Sequence, residues 1–373
     1  YHITILSSKP QQAGGGATGS SGGINEPQKG STGQVIYLTG DTLWDAERNW
    51  NLRSSRRLFI GQVLVVVIGE DTARQGITQI IDFLNRHQDM RERGWVIVCQ
   101  GSAADFLNAQ PEYEPMLSLE ISGIMRDAWL RASKAKGVDL FNVSYDLLTP
   151  GKEAVIPYMT LFTPPEPSSP IKQQNREPTS AVQTSGQQGS QPQKQTFSIA
   201  GSAVFKSDRM VGLLNEKENQ GQLFLSNQVK GGTIPIAIES SDKNASIRLK
   251  GSKTRIKPVF SQDGVTLDIN IKAEGDLLEE DNDVFRISKT DFKKVEELTR
   301  HEIERRCRLA LQKSLELESD IFGFGDKIHR SDPQQWQQIK DQWNDIFPTV
   351  QVNINVEFKL KQTGVLGDPL IVQ

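Results

Sequence analysis

Hydrophobic and polar residues alternate strictly near the C-terminus, over residues 350–360. The apolar positions there are Val350, Val352, Ile354, Val356, Phe358 and Leu360. Because successive side chains of a strand point to opposite faces, this pattern predicts a strand with one buried face. The same alternation predicts a second such strand at Val265, Leu267, Ile269 and Ile271. Shorter strands are predicted at 247–249 and 254–259, so we expect an antiparallel sheet in this region.

Helical periodicity replaces the alternation between these strands. Residues 288–319 predict one long helix with an apolar stripe at Phe292, Val295, Ile303, Cys307, Ala310 and Leu315. The opposite face is expected to be solvated, because glutamate precedes arginine by four residues at Glu296–Arg300, Glu302–Arg306 and Glu304–Arg308. Asp332 and Pro333 predict the start of another helix. Its Trp336 and Trp343 are expected in the core rather than on an exposed partner surface.

The first half of the chain has the order strand, helix, strand. Residues 58–68 are a near-continuous apolar run, as expected of a strand covered on both faces. A helical pattern over 69–86 and a buried strand at Trp95–Cys99 follow, which favours a right-handed parallel crossover. Further helices are predicted at 41–52, 103–108 and 117–136. The predicted fold class is therefore α+β with an α/β N-terminal unit, multi-domain, with a C-terminal antiparallel sheet covered by a long helix.

Two low-complexity segments divide the chain. Residues 7–33 are rich in Gly, Ser and Gln and predict a flexible loop. Residues 161–196 are rich in Pro, Gln, Ser and Thr and predict a disordered linker. We therefore predict an N-terminal α/β domain at 1–160, this linker, a small middle domain at 197–232 and a C-terminal α+β domain at 233–373. The middle domain is expected to contain strands at 202–205 and 223–225 around an element at 209–215.

Composition and charge argue against several classes of function. The formal net charge is −3 and no basic stripe with interleaved aromatic residues is present, which argues against nucleic-acid binding. The longest apolar run, Val63–Ile68, is far too short to cross a bilayer. The four histidines share no metal-ligand spacing, so no zinc site is expected. Cys99 and Cys307 are expected to be small buried side chains; two free thiols are favoured, while a disulfide stays open.

Catalytic motifs are missing from the sequence, which contains no hydrolase elbow, Walker loop, zincin pair or dinucleotide fingerprint. Gly14–Gly16 lies in a low-complexity loop with no strand before it. Gly323 and Gly325 favour a helix C-cap over an anion cradle. Glu279–Asp283 favours a solvated turn over a calcium site, because the ligand periodicity of a calcium loop is missing.

The basic cluster of Arg53, Arg56 and Arg57 has two interpretations. It could meet an anion or an acidic patch on a partner, but a charge cluster favoured by the negative end of a helix is the stronger interpretation. We therefore assign no catalytic, cofactor-binding or metal-binding residue, and the binding residues stay unknown.

Four blocks, taken in order, resemble the Ger(x)C family of spore germination lipoproteins, the C subunits of Ger-type germinant receptors. They are GDTLWDAERNW at 40–50, SRRLFIGQVLVVVIGEDTARQGI at 55–77, GSAVFKSDRMVGLLN at 201–215, and the C-terminal block with GFG at 323–325, DPxxW at 332–336 and the alternating strand. The resemblance extends over the whole chain and is specific in order and spacing.

The chain departs from the family pattern at three points. Gln62 stands where the family usually has histidine, and Glu218–Gly221 replaces an acidic-Thr-Arg-Gly stretch. The signal peptide and the cysteine that receives diacylglycerol are not in this sequence. Cys99 and Cys307 cannot replace that cysteine because both are expected inside folded elements. We therefore expect the lipid anchor upstream of Tyr1.

The resemblance implies a non-enzymatic lipoprotein subunit on the outer face of the spore inner membrane, without a cofactor or nucleic acid. Its partners would be the membrane-embedded A and B subunits, and its role receptor assembly or signal coupling. An extracytoplasmic solute-binding protein is the alternative, because the first half is α/β, although no similar second lobe follows residue 196. A hydrolase would need a clustered acid–base pair that the pattern does not show.

Overall fold

The structure is a computed structural model of the 373-residue chain. It describes residues 1–8, 33–55, 57–162, 196–237, 244–262, 264–280 and 292–363. The predictions for Gly14–Gly16, Arg56, most of the two low-complexity segments and Asp281–Asp283 lie outside these residues.

An antiparallel pair of strands begins the fold, β1 (His2–Ser8) and β2 (Gly33–Thr39). Helix α1 (Leu43–Arg48) packs on this pair through Ala46, which contacts Ile36 and Leu38 in one small core. Thr42 starts the helix, because its Oγ1 accepts a hydrogen bond of 3.1 Å from the Asp45 N–H. A 3-10 turn at Asn49–Leu52 completes the helical segment predicted at 41–52.

A five-stranded sheet follows. Its strands, in order across the sheet, are β3 (Val65–Gly69), β4 (Trp95–Cys99), β5 (Val155–Phe162), β6 (Thr196–Lys206) and β7 (Arg209–Leu214). The first three are parallel, which confirms the predicted parallel crossover, and the last two join antiparallel. The strand predicted at 58–68 is shorter than expected, because only Val65–Gly69 finds a partner strand in β4.

Helices cover both faces of this sheet. On one face lie α2 (Glu70–Gln75), α3 (Thr78–Arg86) and α6 (Leu140–Leu148), and on the other α4 (Ala103–Leu107) and α5 (Leu117–Leu130). Strand β4 shows why both faces are apolar, since Val96 and Val98 face one core and Ile97 and Cys99 the other. The single helix predicted over 69–86 is broken at Gly76, whose φ of 133° no α-helix accommodates.

The second sheet has four strands in the order β11 (Gln351–Thr363), β10 (Gly264–Glu280), β9 (Asn244–Ser261) and β8 (Thr233–Ala237). The strands predicted at 247–249 and 254–259 are one continuous strand, β9. The expected sheet was wholly antiparallel, but β11 pairs in parallel with β10. The reason is topological, because a helical crossover carries the chain back to the start of β10.

That crossover consists of four helices, α8 (Phe292–Glu316), α9 (Phe324–Ser331), α10 (Pro333–Ile339) and α11 (Trp343–Ile346). The predicted apolar stripe of α8 packs on the sheet, with Val295, Ile303, Cys307 and Ala310 buried. The chain is thus a multi-domain α+β protein with an α/β N-terminal unit, and the predicted fold class is confirmed in these terms.

Residues 196–225 contain one wrong strand prediction and one unexpected pairing. The strand predicted at 223–225 is the end of helix α7 (Glu216–Leu225). A capping box starts this helix, because the Asn215 Oδ1 accepts from the Glu218 N–H at 3.1 Å and the Glu218 Oε2 from the Asn215 N–H at 2.7 Å. Strands β6 and β7 were expected in a separate middle domain at 197–232, but β6 pairs with β5 and β7 with β6, so both belong to the first sheet. The division into domains stays a prediction.

Helices α7 and α8 cross at Gly221. A Cβ atom added there would lie 2.0 Å from the Arg306 backbone oxygen, so only glycine permits this approach. The Arg306 side chain, predicted on the solvated face of α8, is instead 2% exposed. Its guanidinium donates to Gln220 and, at 2.7 Å, to Glu302. The buried charge is therefore balanced by a partially exposed carboxylate and an amide of α7.

We expect Gly221→Ala to destabilise the protein strongly, because the added methyl group must separate the two helices. The loss in unfolding free energy should be about 2–4 kcal/mol, measured by urea denaturation. The matched control is Gly123→Ala in α5, where an added Cβ has no neighbour within 4 Å. That variant should gain about 0.5–1 kcal/mol from helix propensity. Equal effects of the two substitutions would contradict the close-crossing interpretation.

Candidate functional site

A buried junction between the two sheets is the candidate functional site. It forms where the turn after α6 meets the turn between α8 and α9. Gly151 (φ 74°) and Gly325 are in direct backbone contact, since a Cβ added to Gly151 would lie 2.7 Å from the Gly325 Cα. Two backbone hydrogen bonds cross here, from Asp326 N to Gly151 O at 3.1 Å and from Glu153 N to Asp320 O at 3.0 Å.

Asp320 organises the second-sheet side of this junction. Its carboxylate accepts hydrogen bonds from the Phe324 N–H at 3.0 Å, the Gly325 N–H at 2.9 Å and the Trp343 Nε1–H at 3.1 Å. Burial raises its pKa to about 6 despite these donors, which act in the opposite direction. One carboxyl group thus satisfies the N-terminus of α9 and fixes α11 against it.

Glu153 is the first-sheet counterpart of Asp320. Its Oε2 accepts the Ser207 N–H at 2.7 Å, in the tight turn between β6 and β7. The pKa of Glu153 is raised to about 7, chiefly by burial, and the nearby Asp320 charge acts in the same direction. The end of β6 contacts the segment that follows α8, where the Ser319 Oγ–H donates to Phe205 O at 2.6 Å. An exposed ion pair of 2.7 Å, Lys206–Glu318, closes this side.

A rim of charged and aromatic side chains surrounds the junction. Lys152 pairs with the buried Asp146 and lies 5.5 Å from the centre of the Tyr145 ring. Arg330 of α9 reaches across to α6, donating to the Tyr145 hydroxyl at 2.6 Å while it pairs with Asp326 at 2.9 Å. Bonds from α9 to α6 therefore supplement the backbone contacts.

Trp336 and Trp343 are both 3% exposed, so the core prediction for them is confirmed. Trp336 covers the two junction glycines, and a Cβ added to Gly151 would lie 2.6 Å from the Trp336 Cη2. The two indole rings meet edge to face with centroids 5.7 Å apart. The expected C-cap role of Gly323 is wrong, because Gly323 (φ 68°) precedes α9 as its N-cap residue.

The basic cluster has a different location from the junction. Arg57 lines an open cavity of about 530 Å³ together with Arg48 and Arg86, next to Trp44 and His87. Arg57 pairs with Asp89 at 3.2 Å, and Arg53 donates to the Tyr37 backbone oxygen. Within the described chain, neither interpretation of the cluster is decided by these contacts. Gln62, at the position where the family usually has histidine, is exposed.

The two cysteines are buried in separate parts of the structure. The pKa of the Cys99 thiol is raised to about 12 by burial, and burial also raises the pKa of Cys307, so neither is a reactive thiolate near neutral pH. Both thiols are free. Across the described ranges, no group of three or more His, Cys, Asp and Glu side chains is placed to hold a metal ion. None of the described helices has the length and hydrophobicity that a membrane span requires.

Sequence reasoning missed Asp320, Glu153 and Arg306. One signal was available for Asp320, a carboxylate directly before the apolar Ile321 and Phe322. Glu153 and Arg306 look like ordinary surface residues in the sequence, since their burial depends on the packing of distant elements.

Two family models match the chain. "Spore germination protein N-terminal domain" covers residues 1–161, and "Spore germination B3/ GerAC like, C-terminal" covers residues 200–364. The second family model spans Asp320 and the helices α9, α10 and α11, which form one side of the junction.

Similar proteins occur in Bacillus subtilis (strain 168). Spore germination protein YndF is 24% identical over 98% of this chain and 83% of the relative, and spore germination protein KC is 21% identical over 99% and 86%. A solved structure, the crystal structure of the GerBC protein, aligns with a TM-score of 0.56 at 19% identity, covering 88% of this chain and 86% of that one. It supports the fold alone.

The fold and the two matched family models define a protein built from the N-terminal and C-terminal domains of spore germination proteins. The chain belongs to the Ger(x)C family, as the sequence blocks predicted, and its role lies in spore germination.

We expect Trp343→Ala to cost about 3–5 kcal/mol of unfolding free energy, because it empties a buried site and removes a donor from Asp320. Trp44→Ala is the matched control, since Trp44 is 37% exposed and should lose less. Thermal and urea denaturation of both variants measure the difference. A Trp343→Ala variant that melts like the parent but loses association with other proteins would show that the indole serves an interface.

The pKa of Glu153 predicts a pH dependence of stability. The folded value of about 7 exceeds the ordinary 4.5, so the folded state holds this proton more tightly between those values. The stabilising contribution is full below pH 4.5 and falls as the pH rises towards 7. In Glu153→Gln this fall should disappear, because the amide does not titrate and its oxygen can still accept the Ser207 N–H.

Urea denaturation at pH 5 and pH 8 measures the effect. The change in unfolding free energy between the two pH values should differ between parent and Glu153→Gln by about 1–3 kcal/mol. Glu297→Gln is the control, as Glu297 is exposed on α8, and it should retain the pH dependence of the parent. Identical pH profiles for the parent and Glu153→Gln would remove Glu153 as the titrating group.

Proposed function

We propose that this chain is a non-catalytic subunit of a spore nutrient-germinant receptor, acting in receptor assembly or signal coupling. The observation that carries the proposal is the junction itself. The chain segment before β5 and the helices over the second sheet are joined by two backbone hydrogen bonds, Glu153 N–H to Asp320 O and Asp326 N–H to Gly151 O, beside the Gly151–Gly325 contact. A displacement that a partner imposes on the first sheet is therefore transmitted through these bonds to the helices over the second sheet.

The chemistry of the described residues supports a binding role over an enzymatic one. Glu153 and Asp320 are the described carboxyl groups with the most strongly raised pKa values, yet both are engaged by backbone donors inside a packed junction. A general acid or base needs access to a substrate atom, and Asp320, at 4% exposed, offers little of it. The proposed partners are the membrane-embedded A and B subunits of the receptor.

The proposed location is the outer face of the spore inner membrane, held by a lipid anchor upstream of Tyr1. A diacylglycerol carries two acyl chains, which is enough to hold a protein stably at a membrane. Contacts with the embedded subunits would add a second attachment and fix the position of the chain beside them.

Genetic deletion in spores tests this proposal. Removing the membrane-embedded subunits should lower the amount of this protein retained in spore membranes, because one of its two attachments is lost. Removing this chain should abolish the nutrient response while germination triggered independently of the receptor continues. Copurification of the partners with a tagged chain from spore membranes is the direct biochemical readout.

Two results would contradict the proposal. One is an unchanged nutrient response in spores lacking the chain. The other is turnover of a substrate by the purified chain, with activity lost on changing one or two side chains.

Direct recognition of a small nutrient is the second candidate function. The specific observation in its favour is the open cavity of about 530 Å³ beside Trp44 and His87, whose arginines could hold a carboxylate. Calorimetric titration of the chain with amino acids and sugars separates the two candidates. Saturable heat that is lost in Arg48→Met would support direct recognition, and its absence with every nutrient tested would leave the coupling role alone.

A further inference from the structure

The two edges of the second sheet differ in how they are protected. Among the residues that the structure describes, no strand pairs with the outer side of β9 beyond Arg248, because β8 pairs only with residues 244–248. That edge carries three exposed cations, Lys253, Arg255 and Lys257, followed by Pro258, which has no N–H to offer. Charged side chains and proline are the usual means by which a sheet edge is kept from pairing with another chain.

Strand β11, at the opposite edge, has no such protection over residues 351–356. This segment reads QVNINV and contains neither a charge nor a proline. Its pairing with β10 is regular from Gln351 to Leu360, without a bulge. An edge strand of this length and composition is a template for another strand.

The direction of the free backbone groups follows from Leu360. Its N–H donates to the Glu296 Oε1 at 2.9 Å and so points away from β10. Because strand residues alternate, the N–H and C=O groups of Val352, Ile354 and Val356 point the same way. Within the described part of the chain these groups have no hydrogen-bond partner.

The apolar layer under β11 is also incomplete. Val352 and Ile354 face the core but are only partly buried. Leu267 and Ile269, their neighbours on β10, are 0% and 1% exposed. The edge strand therefore leaves apolar surface as well as backbone groups available for a further strand.

We propose that a second copy of this chain covers this edge, with the two β11 strands paired antiparallel about a twofold axis at Ile354. In this register Ile354 lies opposite its own counterpart and Val352 opposite Val356 of the second copy. Each such pair can exchange two backbone hydrogen bonds, since all of these residues direct N–H and C=O outward. The two four-stranded sheets become one continuous sheet.

The side chains select a second copy over an unrelated strand, because the segment is complementary to itself. On the exposed face Asn353 lies opposite Asn355 of the second copy. Each amide donates one hydrogen bond to β10, to Asp268 at 2.9 Å and to Asn270 at 3.2 Å, and keeps a second N–H and an oxygen with which the two amides can bond to each other. Gln351 lies opposite Glu357, so no like charges meet. On the buried face the valine pair continues the apolar layer across the twofold axis. An isologous interface of this kind closes on itself and leaves no further free edge at β11.

The test is the mass of the whole chain in solution by light scattering and analytical ultracentrifugation. The parent should approach twice the chain mass of 41.6 kDa as the concentration rises. The double variant Asn353→Lys/Asn355→Lys places lysine opposite lysine at two sites and should weaken dimerisation roughly tenfold or more. The double variant to glutamate should do the same, and an equimolar mixture of the two should recover a dimer by charge pairing.

The double variant Gln337→Lys/Gln338→Lys is the matched control, because both glutamines are exposed on α10 and the variant adds the same charge away from the sheet edge. It should dimerise like the parent. Hydrogen exchange of the unmodified parent provides a measurement that needs no variant: the amides of Val352, Ile354 and Val356 should gain protection with rising concentration.

A parent that stays monomeric with unprotected edge amides, or a dimer that both double variants leave intact, overturns the proposal. A monomeric parent whose double variants lose retention on another protein would assign the edge to that protein instead. The dimer does not depend on the receptor role, so a monomer would leave the proposed function unaffected.

Discussion

The two sheets are joined through Asp320, which lies between α8 and α9. Its carboxylate accepts hydrogen bonds from the N-terminus of α9 and from the Trp343 indole of α11. Its backbone oxygen accepts the N–H of Glu153. A buried carboxyl group is costly unless donors surround it, and here α9 supplies two donors and α11 a third. Removal of the Asp320 side chain would leave these donors without their acceptor. The helical cover of the second sheet and the edge of the first are therefore fixed together.

Close backbone approach is the second constraint, and it explains why glycine occupies the crossing points. Gly151 and Gly325 allow the two turns to touch, and Gly221 allows α7 to lie against α8. At each of these positions a side chain would displace a neighbouring backbone, not merely a flexible side chain. These contacts place Gln220 where it can accept from the buried Arg306, so polar satisfaction and tight packing are coupled.

Local patterns predicted most of the fold, because amphipathic periodicity is a property of short segments. The stripe of α8, the alternation of β11, the apolar run of β4 and the Asp332–Pro333 helix start are all present in the structure. Long-range pairing was not available from such patterns. The parallel partner of β11 depends on how far the crossover helices carry the chain, and the docking of β6 on β5 depends on the segment between them. The apolar end of α7 looked like a strand because it is buried all round.

The candidate site was less predictable than the fold for a specific reason. Its key residues have burial that arises only when separate elements meet, as when Glu153 reaches the β6–β7 turn or Arg306 faces Gln220. In the sequence Arg306 follows Glu302 by four residues, and the structure does pair these two side chains. That spacing does not predict which side of α8 is covered by another helix. The most constrained residues of this chain lie at such crossings, and a search of the sequence for reactive side chains does not find them.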